Sequence, residues 1–139
     1  MSLFRRKESH ASKKIIVNVT HPVAADADLI AHAFTVPAGR KFRLEKAYYY
    51  SQAGIAEDAS NHFLISVKKG TTIMASWNTD SDGAEPDNSI VADTPKELTL
   101  STTDTDLVAD GGDIIRCHMD ESGTTTTTPG NFVIEGRLV

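Results

Sequence analysis

One acidic loop has a residue spacing that is typical of calcium binding. Residues 78–83 (NTDSDG) match the first half of a calcium loop, in which oxygen ligands alternate and glycine permits a sharp turn. The position that normally holds a bidentate glutamate is Ser89. Glu85 and Asp87 could replace that ligand, but the pattern favours an acidic, solvated loop. We therefore expect neither a metal nor a cofactor.

The five histidines and the one cysteine are spaced in a way that argues against catalysis. No His-x-His or His-x-x-His pair occurs, although a jelly-roll metalloenzyme would need closely spaced histidines. The sequence also lacks a G-x-S-x-G elbow, a Walker loop and a dinucleotide-binding glycine loop. Cys117 is interpreted as a small buried core residue. The chain is expected to have no catalytic residues and not to be an enzyme.

Eight segments alternate apolar and polar residues with the period of β-strands, and turn-forming residues separate most of them. The segments are 13–20, 29–36, 41–51, 62–69, 71–79, 96–101, 113–120 and 131–139. Long connections between some of them fit a Greek-key arrangement better than an up-and-down barrel. The sequence predicts an all-β fold, an eight-stranded antiparallel β-sandwich of jelly-roll type, as a single domain over 13–139. A flexible basic N-terminal arm over 1–12 precedes it.

The same alternation predicts which side chains face the core. The core face of the third segment is expected to carry Phe42, Leu44, Tyr48 and Tyr50. Tyr49 then lies on the exposed face, where it is a candidate contact residue.

Trp77 and Phe132 are expected inside the core, and Gly136 is expected to mark a bulge or a close backbone approach.

Charge is distributed unevenly along the chain. Residues 1–14 hold five cations and one anion, or +4, so the total of −5 leaves −9 for residues 15–139. The basic segment is either a solubilising tail or an arm that becomes ordered on a partner surface. Because the acidic body opposes a phosphate backbone, an acidic protein surface is the expected partner, with no direct contact to nucleic acid. The predicted partner-binding residues are Phe4, Arg5, Arg6, Lys7, Lys13, Lys14 and Tyr49.

Neither a membrane span nor a signal peptide is predicted. No apolar run approaches the roughly 20 residues that a membrane-spanning helix needs. The N-terminal residues 1–14 carry charges but no apolar stretch of the kind that a signal peptide requires. We expect a protein with no membrane contact.

The turns and strands of residues 29–139 follow a characteristic layout. Its parts are the turn 36–39 (VPAG) before an aromatic strand, the segment 52–61, the hairpin through 69–70 towards Trp77, the run 108–113 before a strand, and 129–130 before the last strand. This layout resembles that of the small head decoration, or cement, proteins of tailed bacteriophages.

The resemblance implies a non-catalytic jelly-roll protein of the virion, made in the host cytoplasm. Such a protein binds the outer surface of an assembled capsid and stabilises it by bridging neighbouring major capsid subunits. The implied partners are the major capsid protein and further copies of the chain, as a dimer or trimer. An alternative is a β-sandwich module of a tail or fibre that recognises carbohydrate or another virion protein, for which exposed aromatic side chains beside polar loops are the expected marker.

Overall fold

The computed structural model describes residues 12–25, 28–83 and 87–139. In chain order its strands are β1 (Lys13–His21), β2 (Ala24–Ala25), β3 (Leu29–Thr35), β4 (Lys41–Ser51), β5 (His62–Lys69), β6 (Thr72–Asn78), β7 (Lys96–Glu97), β8 (Thr99–Leu100), β9 (Val108–Asp110), β10 (Ile114–Ser122), β11 (Thr126–Thr127) and β12 (Gly130–Leu138). Within these ranges the helical structure is one 3-10 turn, Asp104–Leu107.

Two antiparallel sheets make up most of this structure. The first sheet has the strand order β1-β12-β4-β7, and β9 also pairs with β4. The second sheet has the order β3-β10-β5-β6-β8, while β2 and β11 form a separate pair. Buried side chains from both sheets belong to one hydrophobic core. The predicted all-β fold with two antiparallel sheets is confirmed.

Each predicted segment corresponds to a strand, except that the sixth segment is divided in two. Leu98 interrupts it, so β7 pairs with β4 in the first sheet and β8 pairs with β6 in the second. The Leu98 side chain is only 1% exposed, and its N–H donates to the Ala47 carbonyl oxygen at 2.8 Å. Its burial allows the chain to change sheets there. The pairs formed by β2, β9 and β11 were not predicted, because two or three residues show no alternation.

A bulge in β4 interrupts its pairing with β12. Lys46 lies opposite Glu135, but Leu44 lies opposite Gly136, so Glu45 is an extra residue on β4. Gly136 permits this arrangement, because a Cβ at that position would collide with the Arg43 carbonyl oxygen and the Phe42 ring. The expected close backbone approach at Gly136 is confirmed.

The bulge moves every following side chain of β4 to the opposite face. Tyr49 is 0% exposed, whereas Tyr48 and Tyr50 are half-buried on the outer side of the sheet. The predictions that Tyr49 is exposed and that Tyr48 and Tyr50 lie in the core are therefore wrong. A strict period of two cannot account for an inserted residue.

The two other predicted core aromatics have different environments. Phe132 is fully buried, as expected. Trp77 is only partly buried against the core, and its indole N–H donates to the Asn88 carbonyl oxygen at 2.9 Å. The Lys96 ammonium lies 3.5 Å from the centre of its ring. Trp77 therefore joins the core to a loop instead of lying wholly inside.

The assignment of the tyrosines can be tested with two matched substitutions. Tyr49→Ala removes a fully buried ring and should lower the free energy of unfolding by about 3–5 kcal/mol. Tyr48→Ala removes a half-exposed ring from the same strand and should lower it by about 1 kcal/mol or less. Urea denaturation measures both changes. Equal losses, or a larger loss for Tyr48→Ala, would contradict the position of the bulge.

Candidate partner-binding surface

Alternate residues of β1, β12 and β4 form the outer face of the first sheet. Its central part consists of three cross-strand rows: Thr20, Asn131 and Tyr50; Asn18, Val133 and Tyr48; and Ile16, Glu135 and Lys46. We call these nine residues the tyrosine face. Tyr48, Tyr50 and Val133 are half-buried, and Ile16 is 62% exposed. An apolar strip therefore lies on the solvent side of a sheet, where tyrosine is a residue that interfaces favour.

Polar groups border this strip on one side. The Asn131 side-chain Nδ2 donates to the side-chain Oδ1 of Asn18 at 3.0 Å across the two strands. This hydrogen bond orients both amide groups beside the tyrosine rings. Because an amide offers two donors and one acceptor oxygen, the pair is suited to recognising polar groups of a partner.

Ion pairs occupy the other end of the first sheet's outer face. The pairs are Lys14 with Glu135 at 3.4 Å, Arg137 with Glu45 at 3.4 Å, and Arg43 with Asp104. The guanidinium of Arg43 holds the pKa of the Asp104 carboxyl below its usual range. Since such exposed pairs contribute little to stability, their charges can be paired differently when a partner binds. A shallow depression of about 190 Å³ lies among the first two pairs and Lys46.

The predicted contact residues are only partly brought together. Lys13 and Lys14 are exposed at the start of β1, and Lys14 belongs to the outer face of the first sheet. Tyr49 lies beneath that face. The remaining four, Phe4, Arg5, Arg6 and Lys7, lie outside the described residues.

Sequence reasoning missed Tyr48 and Tyr50 as surface residues, although a signal was present. Glu45 and Lys46 are two consecutive charged residues in an otherwise alternating strand. Both are exposed, as happens when a bulge turns two neighbouring side chains to the same side. The interruption of the alternation at Glu45 and Lys46 was thus the signal for the bulge.

A buried hydrogen bond fixes Tyr49 below the surface. Its hydroxyl lies 2.7 Å from Nε2 of His21, while Nδ1 of His21 lies 3.0 Å from the Pro22 carbonyl oxygen. That carbonyl can only accept, so Nδ1 carries the proton, and Nε2 accepts from the tyrosine. The Phe132 ring packs against Tyr49 at 4.9 Å between centroids. Gly130 completes the cluster, since a Cβ there would lie 2.7 Å from the Tyr49 hydroxyl.

The environment of His21 favours its neutral form. Burial lowers the pKa of its imidazole, although the hydrogen bond to Pro22 acts in the opposite direction. Protonation would also remove the acceptor that Nε2 offers to the tyrosine hydroxyl. Burial likewise raises the pKa of the Tyr49 hydroxyl, so it remains a donor.

The acidic loop between β6 and β7 is held by protein groups. The Glu57 carboxylate accepts the Asn88 N–H at 2.7 Å and the Ser81 hydroxyl at 3.3 Å. The Asn88 side chain donates to the Asp80 carbonyl oxygen at 2.8 Å. Hydrogen bonds from Ser89 hold the pKa of the Asp87 carboxyl below its usual range. The loop is thus fastened to the connection between β4 and β5.

The candidate calcium ligands do not form a recognisable site. Glu85 lies outside the described residues. Within the described ranges, no three His, Cys, Asp or Glu side chains lie close enough together to hold a metal ion. Asp80 is 3.7 Å from the imidazole of His62. That arrangement is an ion pair when the histidine is protonated.

Cys117 lies in the core, as predicted. Its side chain is 0% exposed, and burial raises the pKa of its thiol to about 12. The reactive form of cysteine is the thiolate, which is therefore disfavoured near neutral pH. The environment of Cys117 is that of a packing residue.

The burial of His21 predicts a pH-dependent stability. The unfolded chain binds a proton at the usual histidine pKa of 6.5, but the folded chain resists protonation until the pH is lower. The unfolded state therefore binds more protons, and stability should fall as the pH drops below about 6.5. Melting temperatures at about pH 7.5 and pH 5.5 measure the fall. The fall in melting temperature should be smaller in His21→Gln. It should persist in the control His32→Gln, which changes an exposed histidine. An unchanged fall in His21→Gln would contradict the assignment to His21.

The hydrogen bonds of Glu57 predict that the loop does not need calcium. A chelator should leave the melting temperature unchanged, because the loop lacks the twelfth-position carboxylate that supplies much of the affinity of calcium loops. Glu57→Ala should instead lower the free energy of unfolding by about 1–3 kcal/mol, since Asn88 loses its acceptor. A large drop in melting temperature on chelation would contradict this account and would point to Asp80, Asp82 and Asp87 as ligands.

Comparisons with known proteins place no further constraint on the surface. A scan against family models and searches of curated proteins and of solved structures each find no match. In the part of the chain that the structure describes, no helix is long and apolar enough to cross a membrane. The function has to be inferred from the fold and from the tyrosine face.

Proposed function

We propose that the chain is a jelly-roll head decoration protein of a tailed bacteriophage. In this role it binds the outer surface of the assembled capsid and bridges neighbouring major capsid subunits. It acts through contacts alone, without catalysis, and it resides on the outside of the virion. The tyrosine face carries the proposal, and the basic composition of the N-terminal segment adds to it.

The pairing of the strands supports the jelly-roll part of the proposal. The eight main segments pair first with last, second with seventh, third with sixth and fourth with fifth. All four pairings are antiparallel, so the chain resembles one long hairpin rolled into two sheets. This nested order is that of a double Greek key, an architecture that viral capsid proteins use.

The character of the tyrosine face supports a docking role. The outer sheet face presents the rings of Tyr48 and Tyr50 together with Ile16. Aromatic side chains of this kind supply much of the energy of protein interfaces. Lys14 lies on the same outer face, and residues 1–14 carry a net charge of +4. An acidic groove of a capsid lattice is the matching partner.

Carbohydrate is the second candidate for this face. The half-exposed rings of Tyr48 and Tyr50 lie beside the amide pair of Asn18 and Asn131. Aromatic rings can pack against the apolar side of a sugar while amides bond its hydroxyl groups. A tail or fibre module would use the face in this way. The neighbouring ion pairs favour a protein partner.

Binding to shells tests the proposal. Expanded shells of the tailed bacteriophage that encodes the chain are sedimented with the protein, and the bound fraction gives a dissociation constant. Tyr48→Ala combined with Tyr50→Ala should weaken binding by at least about tenfold, because central aromatic anchors dominate such interfaces. Ile30→Ala is the matched control, since Ile30 is 60% exposed on the second sheet. It should leave binding unchanged.

Two further measurements separate the alternatives. Arg5→Glu with Arg6→Glu should weaken binding to shells mainly at low salt, because screening removes charge attraction between exposed groups. A glycan array probed with the same protein should show no signal above background. Failure to bind shells, together with glycan binding that the double tyrosine variant abolishes, would replace the capsid proposal with the carbohydrate one.

A further inference from the structure

The edges of the two sheets differ in how they are protected against further pairing. The edge strands β7, β8 and β9 contain only two or three residues each. β3 has a register shift against β10, and β6 has one against β5. Short strands and bulges are both devices that prevent a sheet from adding a foreign strand. These edges are therefore poor templates.

β1 is the exception among the described strands. It has nine residues, contains no proline, and pairs with β12 in continuous register from Lys13 to His21. Its other edge pairs with no strand of the described residues. A long and regular edge of this kind presents a row of backbone donors and acceptors to another chain.

The side chains of β1 suit a second copy of itself. Its only charged residues are Lys13 and Lys14, both at one end, and Ile16 is 62% exposed near the middle. Antiparallel pairing centred on Ile16 sets the Ile16 residues of the two copies opposite each other. It also sets Lys14 of one copy opposite Asn18 of the other. No like charges meet in that register, whereas parallel pairing would set each lysine beside its copy.

We propose that two copies of the chain associate by antiparallel pairing of β1 about a two-fold axis at Ile16. The first sheets of both copies then form one continuous sheet. The distribution of charge in β1 favours this occupant, because Lys13 and Lys14 of one copy meet the uncharged residues Val19 and Asn18 of the other. Such an interface is isologous, as in most protein dimers.

The geometry has a consequence for the tyrosine face. A two-fold axis between antiparallel strands of one sheet runs perpendicular to that sheet, so both tyrosine faces point to the same side. The dimer would offer two binding surfaces to a lattice, and linked surfaces bind far more tightly than single ones. This consequence rests on the proposed function, whereas the pairing of β1 does not.

Sedimentation equilibrium of the full chain without shells tests the pairing. Across concentrations of about 1–200 µM, the range of weak to moderate interfaces, the mass should rise towards twice the 15.0 kDa of one chain. Ile16→Lys should weaken association by at least about tenfold, because it sets two lysines together at the axis. Ile30→Lys, a change of equal chemistry on the edge strand β3, should have no effect. Melting temperatures verify that both variants fold.

Substitution of Asn18 tests the register. In the dimer, Asn18→Glu places a carboxylate opposite Lys14 at two symmetry-related positions, so it should tighten association by about fivefold. Asn18→Lys should weaken association by a similar factor. Both shifts should diminish at high salt. The proposal is overturned if the chain stays monomeric or if Ile16→Lys leaves the dimer intact. In that case the edge of β1 would be available for pairing with residues 1–11 or with a capsid strand. A dimer that fails to bind shells overturns only the capsid function.

Discussion

The bulge at Glu45 is the constraint on which the surface of this protein depends. Gly136 lies opposite the bulge, and only a residue without a side chain fits between the Arg43 carbonyl and the Phe42 ring. One extra residue in β4 turns Tyr49 into the core and leaves Tyr48 and Tyr50 outside. The hydrogen bond between Tyr49 and His21 then fixes that arrangement from within. The candidate binding surface is thus determined by a local irregularity of the core.

The sequence predicted the strands well and the long-range contacts poorly, for physical reasons. Alternation over five or more residues reports burial on one face, so each of the eight segments forms strand structure and Phe132 and Cys117 lie inside. Alternation says nothing about an inserted residue, and the tyrosines of β4 were therefore assigned to the wrong faces. Contacts such as Glu57 with Asn88 join loops that are 31 residues apart, and a single sequence carries no local signal for them.

Polar side chains near the tyrosines and in the acidic loop are held by hydrogen bonds within the protein. The buried polar groups near the tyrosines act in packing, with His21 neutral and the Tyr49 hydroxyl protonated. The carboxylates of Asp87 in the acidic loop and of Glu57 in the connection between β4 and β5 accept hydrogen bonds from backbone N–H groups of the loop. Among the described residues, the surface of the sandwich carries an aromatic strip, a nearby set of exposed ion pairs and the regular edge of β1. These features are common to proteins that attach to larger assemblies.

Side-chain labelling of the three tyrosines tests the central claim most directly, because it reports the bulge and the docking face together. Hydroxyl radicals are applied to the free protein and to the protein bound to expanded shells, and the modification of each tyrosine is measured by mass spectrometry. The account predicts that Tyr48 and Tyr50 are labelled in the free protein and protected on shells, while Tyr49 is unlabelled in both. Labelling of Tyr49 in the free protein, or unchanged labelling of Tyr48 and Tyr50 on shells, would contradict it.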